Sequence, residues 1–193
     1  MNYAEIKYND IANGIGVRTS LFVSGCSHHC KGCFNEIAWD YNYGEEFTND
    51  ILDNILNSLK PDYIAGLSIL GGEPLDPKNA FDVASIAIAV KNHYPEKDIW
   101  LYTGYNFDDI YKLYQDIINI SVFPRHNCRQ YVFNCRKYAF YLSLILNSID
   151  VLVDGKFEED KKDITLKFRG SSNQRIIDVK QSLLQHKIVE YEI

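Results

Sequence analysis

Four short runs rich in branched and aromatic residues, Thr19–Ser24, Ile64–Leu70, Asp98–Tyr102 and Ile149–Val153, each end at a polar or glycine turn. The turns are Gly25, Gly71-Gly72, Thr103-Gly104 and Asp154-Gly155. Runs of this length and composition read as buried strands. Between them lie helical patterns. Thr48 is placed to cap a helix from Asn49 to Lys60, in which Ile51, Leu52, Ile55, Leu56 and Leu59 share a face before Pro61 stops it. Ala80–His93 and Phe107–Ile118 read as further helices. Alternating strands and helices predict a largely parallel α/β sheet. In such sheets ligands bind at the carboxyl ends of the strands, so the four turns are expected to converge on one site. Further on, a charged loop Glu158–Asp163 precedes an expected strand at Ile164–Phe168. A turn at Arg169–Asn173 follows, its Ser171, Ser172 or Asn173 placed to cap a helix over Gln174–Gln185. The tail Ile188–Ile193 is a candidate strand.

Directly after Gly25 comes Cys26-Ser-His-His-Cys30-Lys-Gly-Cys33, a C-x3-C-x2-C spacing on a loop. Thiolates this close can wrap one [4Fe-4S] cube, each holding a different iron. Three ligands for four irons leave one iron open to a substrate's amino and carboxylate groups, whereas a fourth cysteine would close it. The plainer readings are a zinc site completed by His28 or His29, or a cluster closed by a distant cysteine. Zinc prefers four filled positions and a second ligand pair, and no convincing pair follows here. His28 and His29 therefore read as loop residues.

The whole chain sets further bounds. At 193 residues it is expected to form one domain with a sizeable core. A net charge of −6 argues against nucleic acid or anionic membrane as the main partner. No apolar stretch reaches the about 18 residues of a membrane span, and the start Met1-Asn2-Tyr3-Ala4-Glu5 does not resemble a secretion signal. A cytoplasmic setting is expected, where clustered cysteines are more often ligands than disulfides.

Three pieces together resemble the radical S-adenosylmethionine (SAM) superfamily. They are Gly16-Val-Arg-Thr-Ser-Leu-Phe-Val-Ser-Gly-Cys26, the cysteine run, and Gly71-Gly72-Glu73-Pro74. Within it the chain is most similar to the activating proteins of anaerobic ribonucleoside-triphosphate reductases. That likeness extends to Asn13-Gly14, Trp100–Tyr105, Asp150–Gly155 and Arg169–Gln174. The resemblance implies a partial βα barrel, here of five or six strands, since a full barrel takes about 250 residues. It implies a [4Fe-4S] cluster on Cys26, Cys30 and Cys33, with SAM as the second cofactor. Gly72 and Glu73 would face the methionyl amino group, while Gly32, Cys33 and Phe34 would contact SAM, with Phe34 near the adenine. Thr103 would line the same pocket. The implied partner is the reductase, whose glycine becomes a radical, with a flavodoxin-like or ferredoxin-like electron donor. Arg169–Asn173 is a candidate docking segment.

On residues alone, plainer readings stand beside each of these. Gly71–Pro74 and Thr103-Gly104 are also ordinary strand-ending turns, Phe34 a core residue, and Asp154 a turn residue first. Residues 119–147 depart from the family pattern and read as an insertion, with a helix over Tyr138–Leu146. Cys128 and Cys135 read as free thiols before second-metal ligands, and Arg125, Arg129, Arg136 and Lys137 as a solvated face before an interface. Rival functions are activation of another glycyl-radical enzyme, small-molecule radical chemistry such as deazaguanine synthesis, and a non-catalytic metal-binding module.

Overall fold

Strand β2 (Val17–Val23) lies at the heart of a seven-stranded sheet ordered β3-β1-β2-β4-β5-β6-β7. The structure is a computed structural model that describes residues 1–118 and 129–193. Chain order gives β1 (Asn2–Asp10), β2, β3 (Glu45–Glu46), α1 (Asn49–Ser58), β4 (Ile64–Gly71), α2 (Ala80–His93), β5 (Asp98–Tyr102) and α3 (Phe107–Ile118). There follow α4 (Arg129–Ser148), β6 (Val151–Asp154), β7 (Arg175–Asp178) and α5 (Val179–Gln185). The four expected strands are the four that run parallel, β2, β4, β5 and β6. β1 and β7 flank them antiparallel, and β3 pairs antiparallel with β1. The sheet thus has one strand more than the upper expectation of six.

Register matters more than count. Val23 pairs with Gly71, Ile69 with Leu101 and Tyr102 with Val153, so the parallel strands finish along one edge.

The two faces of the sheet differ. Leu21, Val23, Leu67, Ile69, Ile99, Leu101 and Leu152 point to one side and pack with α1, α2, α3, α4 and α5 in a single apolar cluster. The alternate residues point to the other side, as a period of two requires. There Arg18 is fully buried. Its guanidinium donates to Ser68 Oγ (2.8 Å) and to the carbonyls of Leu67 (2.9 Å) and Ile15 (3.0 Å), and it lies over the Trp100 ring. Arg18 Nη1 is also 2.6 Å from Asp98 Oδ1. That oxygen has no aligned donor, so the contact is ionic rather than a formed hydrogen bond.

Several sequence expectations are corrected. Ile164–Phe168 is not a strand: the Asp163 carboxylate accepts from Thr165 N and Oγ1, which locks a turn, and Phe168 is left-handed at φ 55°. The expected helix over Gln174–Gln185 is split, because β6 offers an open edge that Arg175–Asp178 joins. Its cap is Asp178, which accepts from Gln181 N at 2.9 Å, and not Ser171, Ser172 or Asn173. The tail makes only a bridge, Ile177 with Glu190. β1 and β3 were not foreseen: β1 carries only the short Ala4, Ile6, Tyr8 alternation and is held mainly by strand pairing, and β3 is two residues long. Tyr138–Leu146 is helical within α4, which packs on α2 and α3 through Ala139, Leu142, Ile145 and Leu146. Arg125, Cys128 and the Arg129 side chain lie outside the described residues.

Asp150 ties α2, β5 and α5 together. It accepts from Lys91 (2.7 Å), from Lys180 and from Ile99 N (2.8 Å). Burial alone would raise its carboxyl, but these donors together outweigh burial and hold it below the ordinary value. A lowered carboxylate contributes stability that is full above the unfolded value, about 3.9, and that fades as pH falls through it. Asp150→Asn is therefore expected to cost about 2 kcal/mol near neutrality and less in acid. Urea midpoints for both proteins between about pH 6 and pH 3 check this. Arg18→Ala is expected to cost more, about 3–5 kcal/mol, because it empties a fully buried position and takes the donor from Ser68 Oγ and the Leu67 carbonyl.

Candidate functional site

The edge where β2, β4, β5 and β6 end is sewn together by backbone hydrogen bonds. Gly72 N donates to Val23 O (2.7 Å), Glu73 N to Gly25 O (2.7 Å) and Thr103 N to Val153 O (2.9 Å). Two glycines are required by this closeness. Gly25 is left-handed at φ 91°, and a Cβ there would sit 2.0 Å from the Tyr41 ring. A Cβ on Gly72 would meet the Gly25 carbonyl at 2.4 Å.

Beneath the loops is a buried carboxylate. Glu73 is 1% exposed. Its Oε1 accepts from Leu75 N (2.8 Å) and Thr103 Oγ1 (2.7 Å), and its Oε2 from Gly104 N (2.7 Å). His28 Nε2 stands 3.0 Å from the same Oε2 but is not aligned as a hydrogen-bond donor, so this is an electrostatic contact. The His28 ring packs edge-on against Tyr105 and fills the space a side chain at position 104 would take. His29 stacks on Trp39. Both histidines thus shape the loop, in keeping with their reading as loop residues. Glu73 joins the cysteine loop to the two strand-end loops beside it.

Above this layer opens a cavity of about 550 Å³. The residues that the resemblance assigns to the cluster and SAM all line it: Cys26, Cys30 and Cys33, then Gly32, Phe34, Gly72, Glu73 and Thr103. Phe34 is 84% exposed, so it is no core residue. Asp154 is not in the lining; it accepts from Phe107 N at the start of α3 and from Arg175. Cys135, on α4, is not among the described lining residues either.

Much of the remaining wall was missed in the sequence. It comes from the lobe between β6 and β7, including Phe157, Ile164, Leu166, Phe168 and Arg169. The Asp154-Gly155 turn pointed to this edge, but the Ile164–Phe168 alternation after it reads as a strand and not as a fold-back over the site.

Each of the three thiols has a backbone N–H directed at it. Burial raises the Cys26 thiol, partly offset by the backbone N–H groups of His28 and His29, with the Glu73 charge adding to the rise. Burial likewise raises Cys30, offset by the N–H of Phe157. Asn35 N donates to Cys33 Sγ at 3.4 Å. Backbone donors aimed at sulfur are what a cluster-bound thiolate needs. Among the described residues no three His, Cys, Asp or Glu side chains are grouped to hold a single metal ion. A tetrahedral zinc, with bonds of about 2.3 Å to sulfur, needs such a tight group. A cube of four irons, one per thiolate, tolerates a wider spread. The donor set therefore fits the cluster.

Comparison with known proteins agrees. The family described as "4Fe-4S single cluster domain" matches residues 12–177. The chain is 38% identical over 176 residues to the anaerobic ribonucleoside-triphosphate reductase-activating protein of Escherichia coli K12, covering 90% of this chain and 96% of that one. It is 36% identical over 176 residues to the protein of the same name from Enterobacteria phage T4, covering 91% and 93%. The Pasteurella multocida protein of that name is 38% identical over 178 residues, covering 91% and 96%.

The carboxylate under the loops is open to a direct test. In Glu73→Gln one amide N–H₂ must face a backbone or hydroxyl donor, so a loss of about 2–3 kcal/mol is expected. Thr103→Ala removes one donor and is expected to cost about 1 kcal/mol. Denaturant unfolding of the metal-free proteins measures both, and a Glu73→Gln cost below about 0.5 kcal/mol would show that the carboxylate does not hold the loops.

Proposed function

The chain belongs to the family of anaerobic ribonucleoside-triphosphate reductase-activating proteins, and from that premise we propose how its own residues carry out the activation. It is an enzyme that generates a glycyl radical on the reductase, working with a [4Fe-4S] cluster and SAM. A reduced cluster held by this chain would supply the electron that cleaves SAM, and the hydrogen removed from the reductase glycine would leave in 5′-deoxyadenosine. The protein's part is to hold, orient and keep dry.

Cys26, Cys30 and Cys33 are proposed as the cluster ligands, leaving one iron free for the amino and carboxylate groups of SAM. The observation that supports this reading most is that these thiols line one cavity with Gly72 and Thr103, and that no fourth cysteine is among its described lining residues. The backbone at Gly72 is proposed to receive the methionyl ammonium. Gly32, Cys33 and Phe34 are proposed to contact SAM, with Phe34 near the adenine. Glu73, its oxygens already engaged, is proposed to serve the cofactor by fixing the Gly72 and Thr103 loops. The inner face of the sheet, where Arg18 and Ser68 lie beside a small cluster of Trp100, Val151, Val153 and Ile176 while the helices of the described residues pack on the other side, supports a partial barrel whose mouth admits a polypeptide. One domain over residues 1–193 is proposed, in which 119–147 is an addition tied to the core by α4. A flavodoxin-like or ferredoxin-like donor and a cytoplasmic setting complete the proposal. No helix among the described residues is long and apolar enough to cross a membrane.

Anaerobic reconstitution with iron and sulfide, followed by reduction in the presence of SAM and the reductase, tests this reading. Methionine and 5′-deoxyadenosine are expected together with a glycyl radical signal by electron paramagnetic resonance. Replacing Cys26, Cys30 or Cys33 by Ala is expected to abolish both outputs, and Cys135→Ala to retain both. SAM cleavage with no radical on the reductase would leave the cluster assignment standing and remove the activation.

A further inference from the structure

The two most exposed large hydrophobic side chains among the described residues are Ile164, at 91%, and Phe34, at 84%. Both line the same cavity. They come from different walls, Phe34 from the end of the cysteine loop and Ile164 from the lobe between β6 and β7. Exposed apolar side chains scattered singly need no explanation. Two that face one opening, each almost wholly in water, do.

Ile164 is not exposed because its segment hangs loose. The Asp163 carboxylate accepts from Thr165 N at 2.8 Å and Thr165 Oγ1 at 2.7 Å, which fixes Ile164 at the corner of a turn. The lobe's base is cross-tied by Ser172 N to Lys161 O (2.9 Å), Glu158 N to Ser171 Oγ (3.2 Å) and Asn173 Nδ2 to Lys156 O (2.8 Å). Its far end is pinned by Phe168, whose ring stands edge-on to Trp100 at 5.4 Å. A tied turn that presents an aliphatic tip has already met the ordering cost that a floppy loop would meet on binding.

We infer that Ile164, with Phe34 across the opening, is a docking surface for the reductase, and that it seats on apolar side chains flanking the glycine that enters the cavity. This inference rests on the activation reading. The occupant follows from size and continuity. The reacting glycine belongs to a folded protein, and a cavity of about 550 Å³ holds a loop at most. Whatever flanks that loop must lie on the rim, where these two side chains stand. Apolar residues that a partner buries at the centre of a contact carry a large share of binding.

The test uses the reconstituted full chain and measures its binding to the reductase, alongside radical formation at varied reductase concentration. Ile164→Asp is expected to weaken binding about tenfold, equivalent to about 1.4 kcal/mol, and to raise the half-saturating reductase concentration in step. Ile164→Val is expected to stay near the parent. Iron content and melting temperature are expected to be unchanged in Ile164→Asp. Leu184→Asp controls for charge, since Leu184 is 74% exposed on α5 and does not line the cavity. Binding by Ile164→Asp within about twofold of the parent, while the radical still forms, would overturn the docking surface and leave the activation reading intact. So would equal weakening by Leu184→Asp. Self-association of the parent in sedimentation that Ile164→Asp abolishes would assign the patch to a second copy instead. A parent that cleaves SAM but neither binds nor radicalises the reductase would overturn both.

Discussion

A buried carboxylate holds the business end of this protein together. Glu73 accepts from Leu75, Thr103 and Gly104 while standing next to His28, so one side chain joins the cysteine loop and the ends of β4 and β5. A carboxylate with 1% of its surface exposed is costly to bury and persists only when donors surround it. Here the donors are the strand-end loops themselves. The cavity is the space above that layer, and its shape follows from the layer being closed.

Most of what makes the site was readable from residues. The four glycine or polar turns after β-rich runs pointed to one edge, and parallel register brings them there. The cysteine spacing, the double glycine and Thr103 needed no long-range information, because each sits directly after a strand whose direction is shared. Asn49–Ser58, Ala80–His93 and Phe107–Ile118 were equally plain, since their apolar residues recur locally and Thr48 caps the first.

What was hidden depends on partners distant in sequence. β1, between β2 and the two-residue β3, is held by strand pairing more than by burial, so its short Ala4, Ile6, Tyr8 alternation is a weak sign. Arg175–Asp178 looked helical until β6 supplied an edge. Ile164–Phe168 alternates like a strand, yet Asp163 turns the chain before any ladder can form. Glu73, expected at the cofactor, lines the cavity and also ties the neighbouring loops, a second role its sequence position does not show. In each case a local preference yields to a contact that only the folded chain provides.

The account as a whole stands on three thiolates carrying four irons. Mössbauer spectroscopy of the ⁵⁷Fe-reconstituted protein, before and after SAM is added, addresses this most directly. One iron in four is expected to change its isomer shift when SAM arrives, while the other three keep tetrahedral sulfur values. A spectrum with four equivalent irons that SAM leaves untouched would contradict it.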